Sequence, residues 1–491
     1  MGFSSFDYAI VAFYLVGVTL AGAAATRRQR TTTDYFLGGK DLAWWAVGLS
    51  IVASETSTLT FISVPGLAYE SDMHFLQLAI GYFIGRLIVT YLFIPAYYRG
   101  NLETAYDYLG KRFGLSLRKF ASSVFIVTRV LASGVRLFAT AIPVHLITGL
   151  GYPQSILIIG ACTLVYTYLG GLKAVVTMDV VQLLVYLGGA AASMVIIVGR
   201  LPGGLADVTR MAVANGIDKL EIFNPSMGNG VLSYLTAPYT LIGCLLGGTF
   251  LTMASHGTDQ LLVQRLLGCK SQRDSQRALM LNATLIVVQF AFFLFLGLCL
   301  YAFYGGATFQ QLGLSSSDEV FPRFIVTSLP AGIAGLVVAA VLASAMGTLS
   351  SSVNSLASST YLDLFKDRLS TLKSVKISEL GWSRLFTAFW GFVLIGGAML
   401  FTDTRNPVVE LGLRIASFTY GGLLGTFLLG ILFKSTNERD GFVGFIAAIV
   451  IMSVVVLFTR IDFTWHTLIG CITTILAGNA SHKLMARVNS S

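Results

Sequence analysis

The chain is a succession of long apolar runs separated by short polar links. A helical membrane span needs about 20 consecutive apolar residues, and about thirteen runs reach that length. The predicted spans are 6–26, 43–68, 75–98, 117–149, 153–171, 176–199, 232–263, 278–305, 324–360, 382–402, 407–433, 441–460 and 464–485. The pattern therefore predicts an all-α polytopic membrane protein with about thirteen transmembrane helices.

One of these runs, Ala43 to Pro65, carries a polar cluster at mid-depth. The cluster consists of Ser54, Glu55, Thr56, Ser57, Thr58 and Thr60. Lipid offers no partner to a free carbonyl or a carboxylate, so these groups must face protein, water or an ion. A helix broken at this cluster could present backbone oxygens to a cation. We therefore interpret the segment as the first half of a transport site.

A second run, Leu235 to Val263, has the same character. It is interrupted by Gly247-Gly248 and, further on, by polar residues that include Asp259. Two interrupted spans separated by four ordinary ones are typical of an inverted five-plus-five repeat with a site between the halves. The expected organisation is a single transporter domain, 1–491, with an extra N-terminal helix in 1–30, a first repeat in 43–200, a second repeat in 232–433 and two extra C-terminal helices in 440–491.

The basic residues fall in the links on one side of alternating spans. Their clusters begin at Arg27, Arg99, Lys173, Arg265, Lys366, Lys434 and Lys483. Because Lys and Arg accumulate in cytoplasmic loops, an odd number of spans places the N-terminus outside and the C-terminus in the cytoplasm. The expected location is the plasma or bacterial inner membrane. In the largest link, the amphipathic stretch 205–214 predicts a helix lying on the outer surface.

Composition favours a membrane carrier over other classes. The 491 residues are 55% hydrophobic and 12% charged, which is more apolar than one soluble core requires. The net charge of +9 is explained by loop topology rather than by a nucleic-acid partner, and no obligate protein partner is evident. The five cysteines have no metal-ligand spacing, and no convergent His, Asp and Ser grouping predicts an enzyme. The first run, Phe6 to Ala25, is interpreted as a span rather than a cleavable signal.

Glu55 is the most unusual of the polar residues at membrane depth. A lone carboxylate at the bilayer centre costs about 3 kcal/mol or more, so Glu55 must be paired, protonated or ion-bound. Arg129 and Arg136 lie on one face of the span 117–149, and either could neutralise it. We favour this structural ion pair. A role of Glu55 in ion coupling stays open and is the best argument for a proton-coupled carrier.

A dense series of hydroxyl groups occupies another span between Ser344 and Ser355. Serine and threonine also serve in helix packing, but their number here favours a hard cation such as Na⁺, which prefers oxygen ligands. Asp179 begins a preceding span, either as a helix-start carboxylate or as part of an ion site. Late in the chain, Arg414 either pairs with Glu410 or faces a substrate.

Several sequence motifs occur in order along nearly the whole chain. They are Asp34-Tyr35-Phe36-Leu37-Gly38-Gly39, Trp44-Trp45-Ala46-Val47-Gly48-Leu49-Ser50, Thr104-Ala105-Tyr106-Asp107-Tyr108-Leu109-Gly110-Lys111-Arg112-Phe113, Gly170-Gly171-Leu172-Lys173-Ala174-Val175, Thr258-Asp259-Gln260 with Gln264-Arg265, and Ser417-Phe418-Thr419-Tyr420. In combination they resemble the sodium:solute symporter family. The resemblance implies the inverted-repeat fold first described for a bacterial leucine transporter. It also implies secondary active symport of a small organic solute with one or two Na⁺ by alternating access.

By position, the resemblance implies a principal sodium site formed by the first broken helix and the hydroxyl-rich span. The corresponding residues are Ala53, Thr56, Ser344, Gly347 and Thr348. Gly347 departs from the family, because many members have a serine here that provides a hydroxyl ligand. One ligand is then lost, or is supplied by Ser344, Ser351 or water. A second sodium site of some relatives corresponds to Asp179, Ser350 and Ser351.

Substrate positions in relatives also correspond to positions of this chain. They fall on Ser57, Thr60, Phe75, Ala79, Thr252, Ser255 and Arg414. The arginine that binds a carboxylate in sialic-acid transporters falls on Ala132, with Arg129 and Arg136 close by, and a glutamate used by sugar transporters is absent from 75–98. We therefore expect a carboxylate-bearing or otherwise anionic solute. The alternatives are a proton-coupled carrier, a symporter of sugars or neutral solutes and, more remotely, a polytopic membrane enzyme.

Overall fold

The computed structural model describes residues 3–24, 29–214, 218–225, 230–371, 377–400 and 408–488, with the side chains at 59, 142–143, 146–147, 370–371 and 408–417 outside that description. Most of the described backbone is helical. The α-helices are α1 (Ser5–Ala24), α2 (Thr32–Leu37), α3 (Trp44–Glu55), α4 (Thr58–Glu70), α5 (Phe75–Ile88), α6 (Ile94–Tyr98), α7 (Ala105–Arg112), α8 (Leu115–Thr148), α9 (Tyr152–Arg200), α10 (Leu205–Ala212), α11 (Val231–Thr236), α12 (Leu241–Gly257), α13 (Gln260–Leu267), α14 (Gln272–Phe303), α15 (Val320–Ser328), α16 (Ile333–Ser359), α17 (Lys366–Thr371), α18 (Glu379–Met399), α19 (Val408–Leu432), α20 (Glu438–Phe458) and α21 (Phe463–Val488). Short π-helical turns at Val89–Phe93 and Thr360–Phe365 join α5 to α6 and α16 to α17.

Seven helical segments of the described chain are long and apolar enough to cross a membrane. They are Ser5–Ala24, Phe75–Tyr98, Leu115–Ala141, Tyr152–Arg200, Gln272–Phe303, Ile333–Leu369 and Glu438–Phe458. An eighth span results if α3 and α4, which are bent by 60° against each other, are counted together. The prediction of an all-helical polytopic membrane protein is confirmed. Length and hydropathy establish fewer spans than the predicted count of about thirteen.

The predicted spans 153–171 and 176–199 form one 49-residue helix, α9, with a break at Gly171. Gly171 has a φ of 54° and a ψ of −155°, a conformation that residues with a side chain avoid. A Cβ at this position would lie 2.4 Å from the carbonyl oxygen of Tyr35, so α2 packs directly against the break. Glycine therefore allows α9 to change direction about two turns before Asp179.

The helix α16 lies at the centre of the described fold. In the span Ile333–Leu369, 89% of the most apolar window is buried, compared with 17% in α1. α16 packs against α8, α9 and α18, whereas α1 leaves most of its surface exposed. The hydroxyl groups of α16 therefore face protein rather than lipid, as their polarity requires.

Both interrupted runs contain a helix break, although Gly247-Gly248 of the second run lies inside the continuous helix α12. The first lies between α3 and α4 at Thr56 and Ser57, whose backbones are extended. The second lies between α12 and α13 at Thr258 and Asp259, and the Asp259 carboxylate accepts a 2.9 Å hydrogen bond from the Leu261 N–H at the start of α13. Because a helix end leaves its last carbonyls without helical partners, the breaks provide backbone oxygens inside the fold.

The predicted amphipathic helix of the largest link is α10, which spans Leu205–Ala212. After this helix, Lys219 Nζ donates hydrogen bonds of 3.0, 3.0 and 2.8 Å to the carbonyls of Tyr69, Glu70 and Ser71. These carbonyls lie at the C-terminus of α4, so the Lys219 ammonium group caps the C-terminus of the first broken helix. Burial in this position lowers the pKa of Lys219.

Candidate functional site

Residues on either side of the break between α3 and α4 contact α16. Ser54 Oγ lies 3.1 Å from Ser351 Oγ, and Thr58 Oγ1 lies 3.0 Å from Ser344 Oγ. The Ala53 carbonyl belongs to the last turn of α3, where carbonyls lack helical partners. This interface therefore gathers hydroxyl and carbonyl oxygens from two elements, the type of ligand that Na⁺ prefers.

The hydroxyl groups of α16 are held in place by the helix itself. Thr348 Oγ1 donates to the Ser344 carbonyl at 3.0 Å, and Ser350 and Ser351 donate to the Gly347 carbonyl at 3.0 and 2.6 Å. Each hydroxyl that donates its proton to a carbonyl keeps its lone pairs for another partner. The Thr348 and Ser350 hydroxyls are therefore oriented as acceptors.

The Thr56 hydroxyl is already held by two partners within the protein. Its hydroxyl donates to the Val52 carbonyl at 2.6 Å and accepts from Gln289 Nε2 of α14 at 2.7 Å. Its carbonyl lies in the extended link between α3 and α4. This arrangement agrees with the carbonyl role that the resemblance implies for Thr56.

Asp179 is fully buried and is held through one of its two oxygens. Oδ2 accepts from Ser50 Oγ at 2.5 Å and from Arg265 Nη2 at 3.0 Å, and the same arginine donates to Ser351 Oγ at 2.5 Å. Among the described residues, Asp179 Oδ1 has no hydrogen-bond partner. A buried carboxylate oxygen without a donor suits a cation. Oδ1 is therefore the atom of Asp179 that is available to an ion, since Arg265 bridges Oδ2 and Ser351 Oγ.

The partner of Asp179 corrects two expectations. The sequence places Arg265 among the cytoplasmic loop cations, but the structure buries its side chain to 1% exposure within α13. The interpretation of Asp179 as a simple helix-start carboxylate is also wrong, because Asp179 forms an ion pair with Arg265 of another helix. The positive-inside rule counts every arginine near a span end and cannot identify one that folds back into the protein.

The predicted partners of Glu55 are wrong. Glu55 pairs with Arg86 of α5, whose side chain is fully buried. Nε2 of His256 lies 3.1 Å from Glu55 Oε1, and Asn282 Nδ2 donates to Oε2 at 2.8 Å. The carboxylate at the first break is thus held by α5, α12 and α14.

The two arginines expected to hold Glu55 lie elsewhere. Arg129 pairs with Asp259 at the second break, and Tyr420 Oη donates to the same carboxylate at 2.6 Å. Arg136 lines a cavity that is described below. Helical periodicity correctly places Arg129 and Arg136 on one face of α8, but it does not identify the helix that this face meets.

The predicted substrate positions on the second broken helix join the Glu55 cluster. Nδ1 of His256 lies 3.2 Å from Thr252 Oγ1 and 2.9 Å from Ser255 Oγ, and its other ring nitrogen faces Glu55. His256 therefore connects the two broken helices. The sequence gives no motif for this role, because an isolated histidine is more often a satisfied core residue.

The other predicted substrate positions are dispersed. Ser57 lines the cavity, whereas Phe75 packs against the rings of Tyr239 and Phe290 with centroid distances of 5.5 and 5.2 Å. Ala79 is buried and Thr60 is half-buried. The side chain of Arg414 lies outside the described residues.

A small cavity that is partly open to solvent lies between the first break, α8 and α16. It is lined by Ser57, Ser133, Arg136, Leu137, Thr140, Ala345, Thr348, Leu349 and Ser352. Five of these side chains carry a hydroxyl, and Arg136 is the charged one. Within the described part of the chain, the Arg136 guanidinium has no carboxylate within ion-pair distance. A guanidinium among hydroxyls suits a small anionic ligand.

The all-helical fold, with two helix breaks buried inside it, is that of a polytopic membrane transporter. Residues 35–448 match the model of the sodium:solute symporter family, and the chain belongs to this family. The protein is therefore a sodium-coupled solute symporter with Na⁺ as its coupling ion, and it is not an enzyme.

Similar proteins cover the chain almost from end to end. The sodium/sialic acid symporter SiaT of Proteus mirabilis (strain HI4320) is 30% identical over 99% of this chain and 96% of its own length. The sodium/iodide cotransporter of Homo sapiens is 30% identical over 89% of this chain and 67% of its own length. A solved structure, the substrate-bound outward-open state of a Na⁺-coupled sialic acid symporter, has a TM-score of 0.86 at 28% identity and 98% coverage of both chains.

Proposed function

We propose that this symporter imports a small carboxylate-bearing solute. The observation that carries the proposal is the position of Arg136, which places a positive charge without an ion-pair partner among the described residues in the hydroxyl-lined cavity. The cavity also includes Thr348, a position of the principal sodium site. An anion bound there would share one wall with the coupling ion, so each would favour binding of the other.

Related proteins support an anionic solute. The relatives described above transport sialic acid, a carboxylate, and iodide, a simple anion. The position that binds the carboxylate in sialic-acid transporters is Ala132 here, so this chain must provide its positive charge elsewhere. Arg136 lies one helical turn further along α8 and meets that need.

We further propose two sodium sites. The principal one comprises Ala53, Thr56, Ser344, Gly347 and Thr348, and the second comprises Asp179, Ser350 and Ser351. Hydroxyl contacts across the first break and the acceptor orientation of the α16 hydroxyls support the principal site. The unpartnered Oδ1 of Asp179 supports the second.

The proposed topology follows the prediction of about thirteen spans, with the N-terminus outside and the C-terminus in the cytoplasm. It comprises an inverted five-plus-five repeat, one extra N-terminal helix and two extra C-terminal helices. The break of α9 at Gly171 supports counting this helix as two spans. The two broken helices then occupy corresponding positions in the repeats, 43–200 and 232–433, as alternating access between two halves requires. The location that fits this topology is the plasma or inner membrane.

A ligand screen tests the solute class. Purified protein is heated with sialic acid, pyruvate, iodide, glucose and alanine, each in sodium chloride and in choline chloride. We expect carboxylates to raise the unfolding temperature only when sodium is present, because the two ligands bind together. Stabilisation by glucose but by none of the carboxylates or iodide would contradict an anionic solute.

A proton-coupled carrier is disfavoured by the surroundings of Glu55. Its carboxylate is held by Arg86, His256 and Asn282 at once, so removing its charge would leave a buried guanidinium without a counterion. Uptake that depends on a proton gradient and is unchanged by sodium would favour this alternative.

A further inference from the structure

Gly347, which lacks the serine hydroxyl that serves as a sodium ligand in many family members, is surrounded by oxygen atoms of neighbouring helices. If a Cβ is placed on Gly347, it lies 3.0 Å from Gln182 Oε1, 3.4 Å from Asp179 Oδ1 and 3.9 Å from the Ala53 carbonyl oxygen. Three oxygen atoms from two neighbouring helices, α3 and α9, thus converge on the point where a serine side chain would begin. The Ala53 carbonyl belongs to the proposed principal sodium site, Asp179 belongs to the adjoining second site, and Gln182 belongs to neither.

Gln182 is buried and its side-chain oxygen has nothing to bind in the described protein. Only 1% of the residue is exposed, and Gln182 Oε1 has no hydrogen-bond partner among the described residues. Its Nε2 faces Tyr166 Oη at 3.5 Å, and this hydroxyl donates in turn to the Met346 carbonyl. The Gln182 amide nitrogen faces the hydroxyl of Tyr166, the Tyr14 hydroxyl also lies beside this amide, and the amide oxygen faces Gly347.

Gln182 Oε1 and Asp179 Oδ1 are both acceptors, and both lack a donor. The two residues are three positions apart on α9, so they lie on the same helix face. Burying two unpartnered acceptors side by side is unfavourable unless a donor or a cation lies between them. Carboxylate, amide and backbone oxygens together form a ligand set that suits a hard cation.

We propose that the side-chain oxygen of Gln182 is a sodium ligand that replaces the hydroxyl missing at Gly347. This inference rests on the proposed sodium sites. Glycine favours the exchange, because a Cβ 3.0 Å from Gln182 Oε1 would make the amide give way by a few tenths of an ångström. Glycine at 347 and glutamine at 182 therefore form a matched pair, and the site keeps its number of oxygen ligands.

The test is a sodium titration of the full-length purified protein, with thermal unfolding as the readout and choline chloride holding ionic strength constant. We expect Gln182→Leu, which keeps the volume and removes the oxygen, to raise the sodium concentration for half-maximal stabilisation by about tenfold or more. Gln77→Leu is the matched control, because Gln77 is fully buried but its side-chain oxygen already accepts from the Asn224 N–H. This control should leave the sodium midpoint unchanged.

A second set of variants, at both Gly347 and Gln182, distinguishes an exchange of ligands from a general loss of stability. Gly347→Ser alone should also raise the sodium midpoint, because the new side chain crowds Gln182. Combining Gly347→Ser with Gln182→Ala should restore sodium binding towards that of the unmodified protein, since the serine hydroxyl then takes the vacated place. Gln182→Glu, which keeps an oxygen in position, should retain sodium stabilisation and provides a folded variant if Gln182→Leu is poorly expressed.

Three outcomes have distinct meanings. If Gln182→Leu leaves the sodium midpoint unchanged, Gln182 is not a ligand and the inference is overturned. If the double variant binds sodium no better than Gly347→Ser alone, the exchange between the two positions is refuted. If sodium does not stabilise the unmodified protein at all, the proposed sodium sites fail, independently of Gln182.

Discussion

The carboxylate of Glu55, at the first helix break, pairs with the buried guanidinium of Arg86 on α5. The same carboxylate is in contact with His256 of α12 and Asn282 of α14. A broken helix lacks the continuous hydrogen bonding that keeps a membrane helix straight. The Glu55 cluster therefore fixes the end of α3, which carries the Ala53 carbonyl, relative to its neighbours.

Replacing Glu55 by glutamine should destabilise the protein strongly. The change leaves the fully buried Arg86 without a counterion, and the loss is about 3–5 kcal/mol for one partner of a buried pair. We expect a lower unfolding temperature and a lower yield of folded protein. Glu221→Gln is the control, because Glu221 is 53% exposed. An unchanged unfolding temperature in Glu55→Gln would contradict a bracing role for this residue.

Arg136→Gln should weaken binding of the solute but preserve binding of sodium. A hydrogen bond to a charged group contributes about 1.5–3 kcal/mol, so the dissociation constant for a carboxylate should rise about tenfold to a hundredfold. Stabilisation by sodium alone should persist. Arg136→Lys, which keeps the charge but not the planar guanidinium, should bind the carboxylate with intermediate affinity. Full retention of carboxylate binding in Arg136→Gln would refute the proposed role.

Thr348→Ala should raise the half-saturating sodium concentration by about tenfold, because it removes a hydroxyl from the principal sodium site. Thr426→Ala provides a matched comparison. Both hydroxyls are buried and donate to the carbonyl four residues earlier, but Thr426 lies on α19, away from the proposed site. A sodium titration that shifts equally in both variants would indicate a general effect on helix packing.

Asp179→Asn should remove one sodium ion from each transport cycle. With two Na⁺ and one monoanion, each cycle moves one net positive charge, which a potential of 100 mV drives with about 2.3 kcal/mol. With one Na⁺, the cycle is electroneutral. A potassium diffusion potential imposed with valinomycin should accelerate uptake by the unmodified protein and leave Asp179→Asn unaffected.

Asp179 also holds Arg265, so the charge change carries a risk of misfolding. Ser350→Ala is the milder variant, because its hydroxyl is not in that ion pair and donates to the Gly347 carbonyl. It should weaken the voltage dependence without loss of folded protein. Equal voltage dependence in all three proteins would contradict the second sodium site.

The sequence predicted the features that depend on local pattern. The break near Thr56 and the central position of the α16 hydroxyls follow from one physical rule, since polar groups inside an apolar run cannot face lipid. The amphipathic stretch around α10 was equally local. The helical membrane class followed from the length of the runs.

The sequence could not predict which helices meet. The pairing of Glu55 with Arg86, and of Asp179 with Arg265, joins residues that are far apart along the chain and share no periodicity. The role inferred for Gln182 depends on a clearance of 3.0 Å at Gly347 and requires three-dimensional coordinates. Periodicity placed Arg136 on the same face as Arg129, but only the structure brought it to the cavity with Ser57 and Thr348.

The central claim is that an inward sodium gradient drives solute uptake through the cavity lined by Arg136. The most direct measurement is uptake of a radiolabelled carboxylate, selected by the sodium-dependent ligand screen, into proteoliposomes. We predict accumulation above the external concentration when sodium is outside only, and collapse of that accumulation when choline replaces sodium. Equal accumulation in sodium and in choline buffer would contradict sodium-coupled symport.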